Sequence, residues 1–140
     1  MDAFSDIRGF AGMSIEYAID NALVVVTPCG FNTLDDMVNV FKKILSDPAV
    51  NLPMKIIFDA HNTDYGPPSE ELEALVDFLG KLDAFRDARW AIVSYPNTLV
   101  YGLARMFCCL AESQGMVADT FTDQHAARTW LCAPEPQPTS

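Results

Sequence analysis

The chain has 140 residues with 9 basic and 19 acidic side chains, a formal charge of −10, and half of its residues are apolar. At about 100–200 residues per domain this predicts one domain, and the ordinary apolar fraction excludes a disordered or collagen-like chain. An acidic chain without a basic run repels phosphate backbones and anionic lipid surfaces, which sets aside nucleic-acid binding and electrostatic membrane docking. No stretch approaches the ~18–20 consecutive apolar residues of a membrane span, and no basic region followed by an apolar run opens the chain, so a cytoplasmic protein is expected.

Residues 1–12 (MDAFSDIRGFAG) precede a second methionine, Met13, and place Phe4, Ile7 and Phe10 at helical spacing. They are expected to form an arm that packs on the domain or on a neighbouring subunit. From Met13, Ile15, Tyr17 and Ile19 alternate with Glu16, Ala18 and Asp20, the period of a strand with one wet face. Asp20-Asn21 turns it back into a second strand over Leu23–Thr27. Thr33 is placed to cap a helix with Leu34, Met37, Val38, Phe41, Ile44 and Leu45 on one stripe, and Asp47-Pro48 ends it. Lys55–Asp59 (KIIFD) is a short apolar run of the kind covered on both faces. Ser69 opens and caps a second helix bearing Leu72, Leu75, Val76, Leu79 and Leu82, and its acidic first turn suits the positive end of the helix dipole.

Trp90–Ser94 reads as another buried strand, and Asn97 or Thr98 caps a third helix running to about Ser113. Its broad apolar surface, from Leu99 and Val100 through Phe107 to Ala111, predicts the most buried helix of the set. Gly115 stops it, Val117–Thr122 supplies a last strand, and Asp123 caps a short helix through Leu131. The closing APEPQPTS holds three prolines in eight residues and is expected to be a disordered tail, which leaves a single domain over residues 13–132 and a tail at 133–140. The predicted order, ββαβαβαβα, is an α/β fold whose mostly parallel sheet has an antiparallel edge strand.

In an open sheet of this kind ligands meet the carboxyl ends of the parallel strands, so Pro28–Asn32, Ala60–Pro68 and Tyr95–Asn97 lead. The second is the richest, with Asp59, His61, Asn62, Thr63, Asp64 and Tyr65 inside seven positions. Asp59, His61, Asn62, Thr63, Asp64 and Asn97 are candidate ligand- or partner-binding residues. A Cys29–His61 pair lacks an orienting third residue, and Asp59, His61 and Asp64 offer too few converging ligands for zinc or a hard cation. The esterase, dinucleotide and P-loop signatures are absent, so no catalytic residue, metal or cofactor is expected. Cys29, Cys108, Cys109 and Cys132 show no metal or disulfide spacing and read as free, mostly buried thiols, with Cys29 set in a loop. Ser69 is a helix cap before it is a phosphorylation site, because Glu70 and Glu71 oppose added negative charge. Tyr101 and Arg105, four apart on the third helix, share a face, and Arg105 is expected to be buried against acceptors at the strand ends.

The run Trp90-Ala91-Ile92-Val93, then Tyr101-Gly102-Leu103-Ala104-Arg105-Met106-Phe107, and finally Phe121-Thr122-Asp123 with Ala126, Trp130 and Leu131, resembles the SpoIIAA-like proteins. That family is STAS-related and is also compared with CRAL-TRIO lipid-binding domains. The likeness extends from Met13 to Leu131 and implies a STAS-type βα superhelix in a small bacterial protein, a family in which most members have no established activity. STAS regulators carry a phosphorylatable serine in a D-S-S-G-like motif after the third strand. The same region here reads DAHNTDYGPPS, with Ser69 displaced from that position.

The resulting expectation is a non-catalytic STAS-like module that binds a protein partner or small ligand at the strand ends, with Ser69, Tyr101 and Arg105 beside the loop residues. The alternative is a CRAL-TRIO-like carrier of an apolar or lipid molecule. Strands in chain order would place the main helices on one face of the sheet, leaving part of the other to be covered by the arm, an apolar ligand or a second subunit, and a homodimer is expected on that ground.

Overall fold

The computed structural model describes residues 13–20, 22–30, 32–63 and 66–133, and the expected arm and the end of the tail lie outside them. β1 (Met13–Asp20) and β2 (Leu23–Gly30) form the antiparallel hairpin, with Asp20 opposite Leu23 and Met13 opposite Gly30. Ala22 takes a left-handed φ of 68°, as a tight hairpin connection requires. Pro28 and Cys29, expected in a loop, belong to β2. The ladder from β2 to β3 ends at Val26 opposite Phe58, so the missing N–H of Pro28 interrupts no bond on that side.

α1 (Leu34–Leu45) starts at a capping box in which Asp36 N–H donates to Thr33 Oγ1 at 3.1 Å and Thr33 N–H donates to Asp36 Oδ2 at 2.8 Å. There follow β3 (Lys55–Asp59), α2 (Ser69–Gly80), α3 (Asp83–Arg86), β4 (Arg89–Val93), α4 (Leu99–Ser113), β5 (Val117–Phe121) and α5 (Gln124–Cys132). Only the short α3 is absent from the predicted order, because four residues are too few to display a period. Its Phe85 is fully buried and its carbonyl accepts from Trp90 Nε1–H at 3.0 Å. The five strands lie side by side in chain order, parallel beyond the first pair. Among the described residues no helix is long and apolar enough to cross a membrane.

Strand alternation divides the core. Ile56, Trp90 and Ile92 face the layer of α1, α2 and α4, where Trp90 meets Phe41, Phe85 and Phe107 at ring separations of 5.5, 5.9 and 5.7 Å. Ile57, Ala91 and Val93 face the other way, onto Ala127 and Leu131 of α5. On that face α5 roofs the strands from β3 to β5. Farther out on that side the hairpin exposes Glu16, Asp20 and Thr27, whose polarity needs no roof. α5 is held at both ends: Asp123 Oδ1 accepts from Ala126 N–H at 2.8 Å, and the Arg89 guanidinium stacks 4.3 Å from the Trp130 ring centre.

Candidate functional site

At the carboxyl ends of the parallel strands the same alternation sends successive residues of β3 to opposite sides. Asp59 follows Ile57 toward α5, whereas Phe58 and Ala60 face α2 and α4. The rim thus has two halves.

The α5 half is polar. Asp59 Oδ1 accepts from the His61 backbone N–H at 3.1 Å and lies 2.9 Å from His61 Nδ1. Asp59 Oδ2 accepts from Gln124 Nε2 at 2.8 Å, Gln124 Oε1 accepts from Arg128 Nε at 3.0 Å, and Arg128 reaches Asp20 at 3.0 Å. His61 Nε2 faces the carbonyl oxygen of Thr122 at 3.3 Å, and its ring lies 4.4 Å from that of Tyr95. Both imidazole nitrogens therefore face oxygen acceptors, and a neutral ring, with one N–H, donates to one of them at a time. The network ties β3 to α5 and α5 to the hairpin. No group of three or more His, Cys, Asp and Glu converges as metal ligands among the described residues.

The other half is apolar. Between α2 and α4 lies a partly open cavity of about 60 Å³, walled by Phe58, Leu72, Leu75, Val100, Leu103 and Phe107, with Ala104 and Pro67 beside them. Thr63 contributes a wall too. It is buried, its Oγ1 donates to Asn32 Oδ1 at 2.7 Å, and it bridges to Gly30 in a parallel pairing. Gly30, at φ 73°, donates its N–H to the Asn62 carbonyl at 3.0 Å, so the β3–α2 loop is laced to the end of β2. Sharing Pro67 with the cavity is a second, open hollow of about 420 Å³ between the starts of α1 and α2, bordered by Thr33, Asp35 and Glu71.

The candidate residues are dispersed over these halves. Asp59 and His61 belong to the polar network, Thr63 to the apolar wall, and Asn62 is exposed with its carbonyl in the loop lacing. Asp64 lies outside the described residues. Ser69 is exposed and is the first residue of α2, not its cap. The cap position is Pro68, which has no side-chain acceptor to offer, and its extended backbone (φ −65°, ψ 163°) turns the chain into the helix. Asn97 adopts a left-handed φ of 61° and leaves the cap to Thr98, whose Oγ1 accepts from Tyr101 N–H at 3.1 Å. Tyr101 is half-buried, but Arg105 is exposed rather than buried, because the sheet takes the Ala104–Phe107–Ala111 side of α4.

α4 is correspondingly less buried than its composition predicts, with Leu99 73% and Met106 39% exposed. The cavity-lining Leu72, Leu75, Val100, Leu103 and Phe107 stand in the sequence as ordinary core stripes. The signal that could have marked them is the apolar arc of α4, wider than one neighbouring layer covers. The cysteines differ from expectation as well: Cys29, Cys109 and Cys132 are exposed. Cys108 is buried, and burial pushes its thiol up to about 12, with Asp119 and Glu112 acting in the same sense and Arg105 opposing.

No family model and no curated protein matches the chain. Among solved structures it is similar to an uncharacterized protein of the DUF3478 family from Shewanella loihica, with 19% identity and a TM-score of 0.55 over 89% of this chain and 97% of that one. That protein has a SpoIIAA-like fold, and with five strands in chain order, an antiparallel first pair and helices between the parallel strands, the fold of this chain is SpoIIAA-like.

Proposed function

We propose that the protein is a non-catalytic, STAS-like interaction module that receives an apolar segment of a protein partner at the α2–α4 half of its rim. The volume of the apolar cavity carries the reading. Small-molecule pockets run to roughly 300–1,000 Å³, and even a benzene occupies an engineered cavity of about 150 Å³. At about 60 Å³ the space suits the end of one aliphatic or aromatic side chain, which weighs against the alternative of a carrier enclosing a lipid. A small, partly open apolar pocket whose wall includes Val100, next in sequence to exposed Leu99, is the pattern of an interface anchor point. The absence of a metal-ligating cluster among the described residues accords with an interaction role, and exposed, unpaired thiols suit a reducing cytoplasm.

Photo-crosslinking in the source cell tests the reading, with p-benzoylphenylalanine introduced in place of Leu99 at the rim or of Lys43 on α1. The expected result is a discrete protein adduct from position 99 that is absent from position 43 and lost on adding Ala104→Leu. Adducts of equal yield from both positions, or none from 99, would overturn it, as would an apolar small molecule co-purifying in stoichiometric amount. An adduct of twice the chain mass from position 99 would identify the partner as a second copy, the homodimer outcome.

A further inference from the structure

The acidic hollow adjoins the apolar cavity through Pro67, and together they specify more about the occupant than either does alone. The cavity walls carry no charged side chain, and the charged residues bordering the hollow are Asp35 and Glu71, both acidic. Two helices start here, and each N-terminus contributes roughly half a positive charge, which by itself favours an anion. Against that stand the carboxylates of their own first turns, Asp35 and Asp36 on α1 and Glu70 and Glu71 on α2. The two carboxylates that border the hollow, Asp35 and Glu71, outweigh about one positive charge of helix dipole, so the hollow favours a cation.

Resting on the interaction reading above, we infer that this rim recognises a basic, amphipathic polypeptide segment, whose apolar side chain enters the cavity while a neighbouring lysine or arginine lies in the Asp35–Glu71 hollow. The apolar anchor supplies burial. The charge selects among apolar segments, because a segment with an acidic neighbour is repelled where a basic one is drawn in. The two hollows abut at one residue, so the anchor and the cation belong within about one helical turn or two extended residues of each other.

A library of random dodecapeptides displayed on phage and panned against the full-length chain tests this. The expected outcome is enrichment of sequences with Leu, Ile, Met, Phe or Trp within four positions of Lys or Arg. The corresponding synthetic peptides should lose binding to the Ala104→Leu chain and weaken by about three- to tenfold with Asp35→Asn and Glu71→Gln combined. A similar weakening is expected between about 50 and 500 mM salt. Peptides blocked by Ala104→Leu but acidic, or indifferent to the paired neutralisation, would overturn the inference and leave the interaction module standing. Enriched peptides insensitive to Ala104→Leu, or no enrichment, would overturn both. Circular dichroism and unfolding midpoints of the variant chains separate lost binding from lost fold.

Discussion

The two halves of the rim are made of opposite materials. On the α5 side Asp59, His61, Gln124, Arg128 and Asp20 form a chain in which each polar group is taken by the next, across three elements of the fold. On the α2–α4 side the walls are apolar and border a partly open cavity, with Val100 in the wall next in sequence to exposed Leu99. One residue of strand register separates them, because Asp59 and Phe58 point to opposite faces. The residue types most often associated with chemistry mark where the fifth helix is fastened to the sheet. The cavity lies among residues that resemble core.

The largest effect that would sharpen this contrast comes from two carboxylates of the same rim. Asp59→Ala removes the acceptor for the His61 ring, the His61 N–H and Gln124, and should cost about 2–3 kcal/mol in urea unfolding. Glu71→Gln should change stability by less than about 0.5 kcal/mol, since it gives up only a first-turn dipole interaction. If Asp59→Ala instead unfolded at the parent midpoint while crosslinking from position 99 disappeared, the polar network would belong to the binding surface and the division would collapse.

Filling the apolar half should produce a smaller change in stability and a larger one in binding. The extra methylenes of Ala104→Leu enter the cavity that Ala104 borders, so the gain from filled space and the strain of a tighter fit nearly offset each other. The unfolding midpoint should stay within the equivalent of about 1 kcal/mol of the parent, while peptide binding is lost. A fully folded Ala104→Leu chain that bound as before would remove the cavity from the interaction.

Most of the fold was legible because its signals are local and agree. Alternation in Ile15–Asp20, the Thr33 and Asp123 caps and the apolar runs at Lys55–Asp59 and Trp90–Val93 all lead to the observed elements. The site was less legible because it depends on where faces meet. Burial of Arg105 is a natural reading of an apolar helix, yet the sheet faces another arc of α4 and leaves that residue in solvent. Ser69 resembles a cap because serines at helix starts usually are caps, but the extended Pro68 before it takes the position. His61 and Asp59 were rightly placed at the strand ends. That both imidazole nitrogens face acceptors depends on Thr122, sixty-one residues away, which spacing alone does not bring near.

Thiol chemistry separates the layers by kinetics. At about pH 8 Cys29, Cys109 and Cys132 should alkylate readily, whereas Cys108, buried and with its thiol pushed up to about 12, should react only as α4 opens. A peptide seated between α2 and α4 should slow the Cys108 reaction further and leave that of Cys132 on α5 unchanged. Equal slowing at both positions would mean that the peptide shields α5 as well and does not single out the α2–α4 wall.

The smallest expected effect comes from a polar contact in neither half of the rim, which serves as the reference for both. Tyr17 Oη donates to Asp47 Oδ2 at 2.7 Å, tying the hairpin to the turn after α1, and Ala49 N–H donates to Asp47 Oδ1 at 2.9 Å. The Ala49 N–H and then the Tyr17 hydroxyl hold the Asp47 carboxyl below its ordinary value of 3.8, while the bond to Asp47, followed by burial, raises the Tyr17 phenol above 10.0. A lowered carboxyl contributes stability above its unfolded value and loses it as pH falls through the folded one. A raised phenol contributes below its unfolded value and loses it as pH rises through the folded one. The tie is therefore complete between those limits, and Tyr17→Phe should lower the thermal midpoint slightly at neutral pH, by less than Asp59→Ala does. The difference from the parent should vanish in strong acid, where Asp47 no longer carries its charge. A loss of unchanged size in strong acid would mean that the contribution of the Tyr17 hydroxyl does not depend on the Asp47 charge.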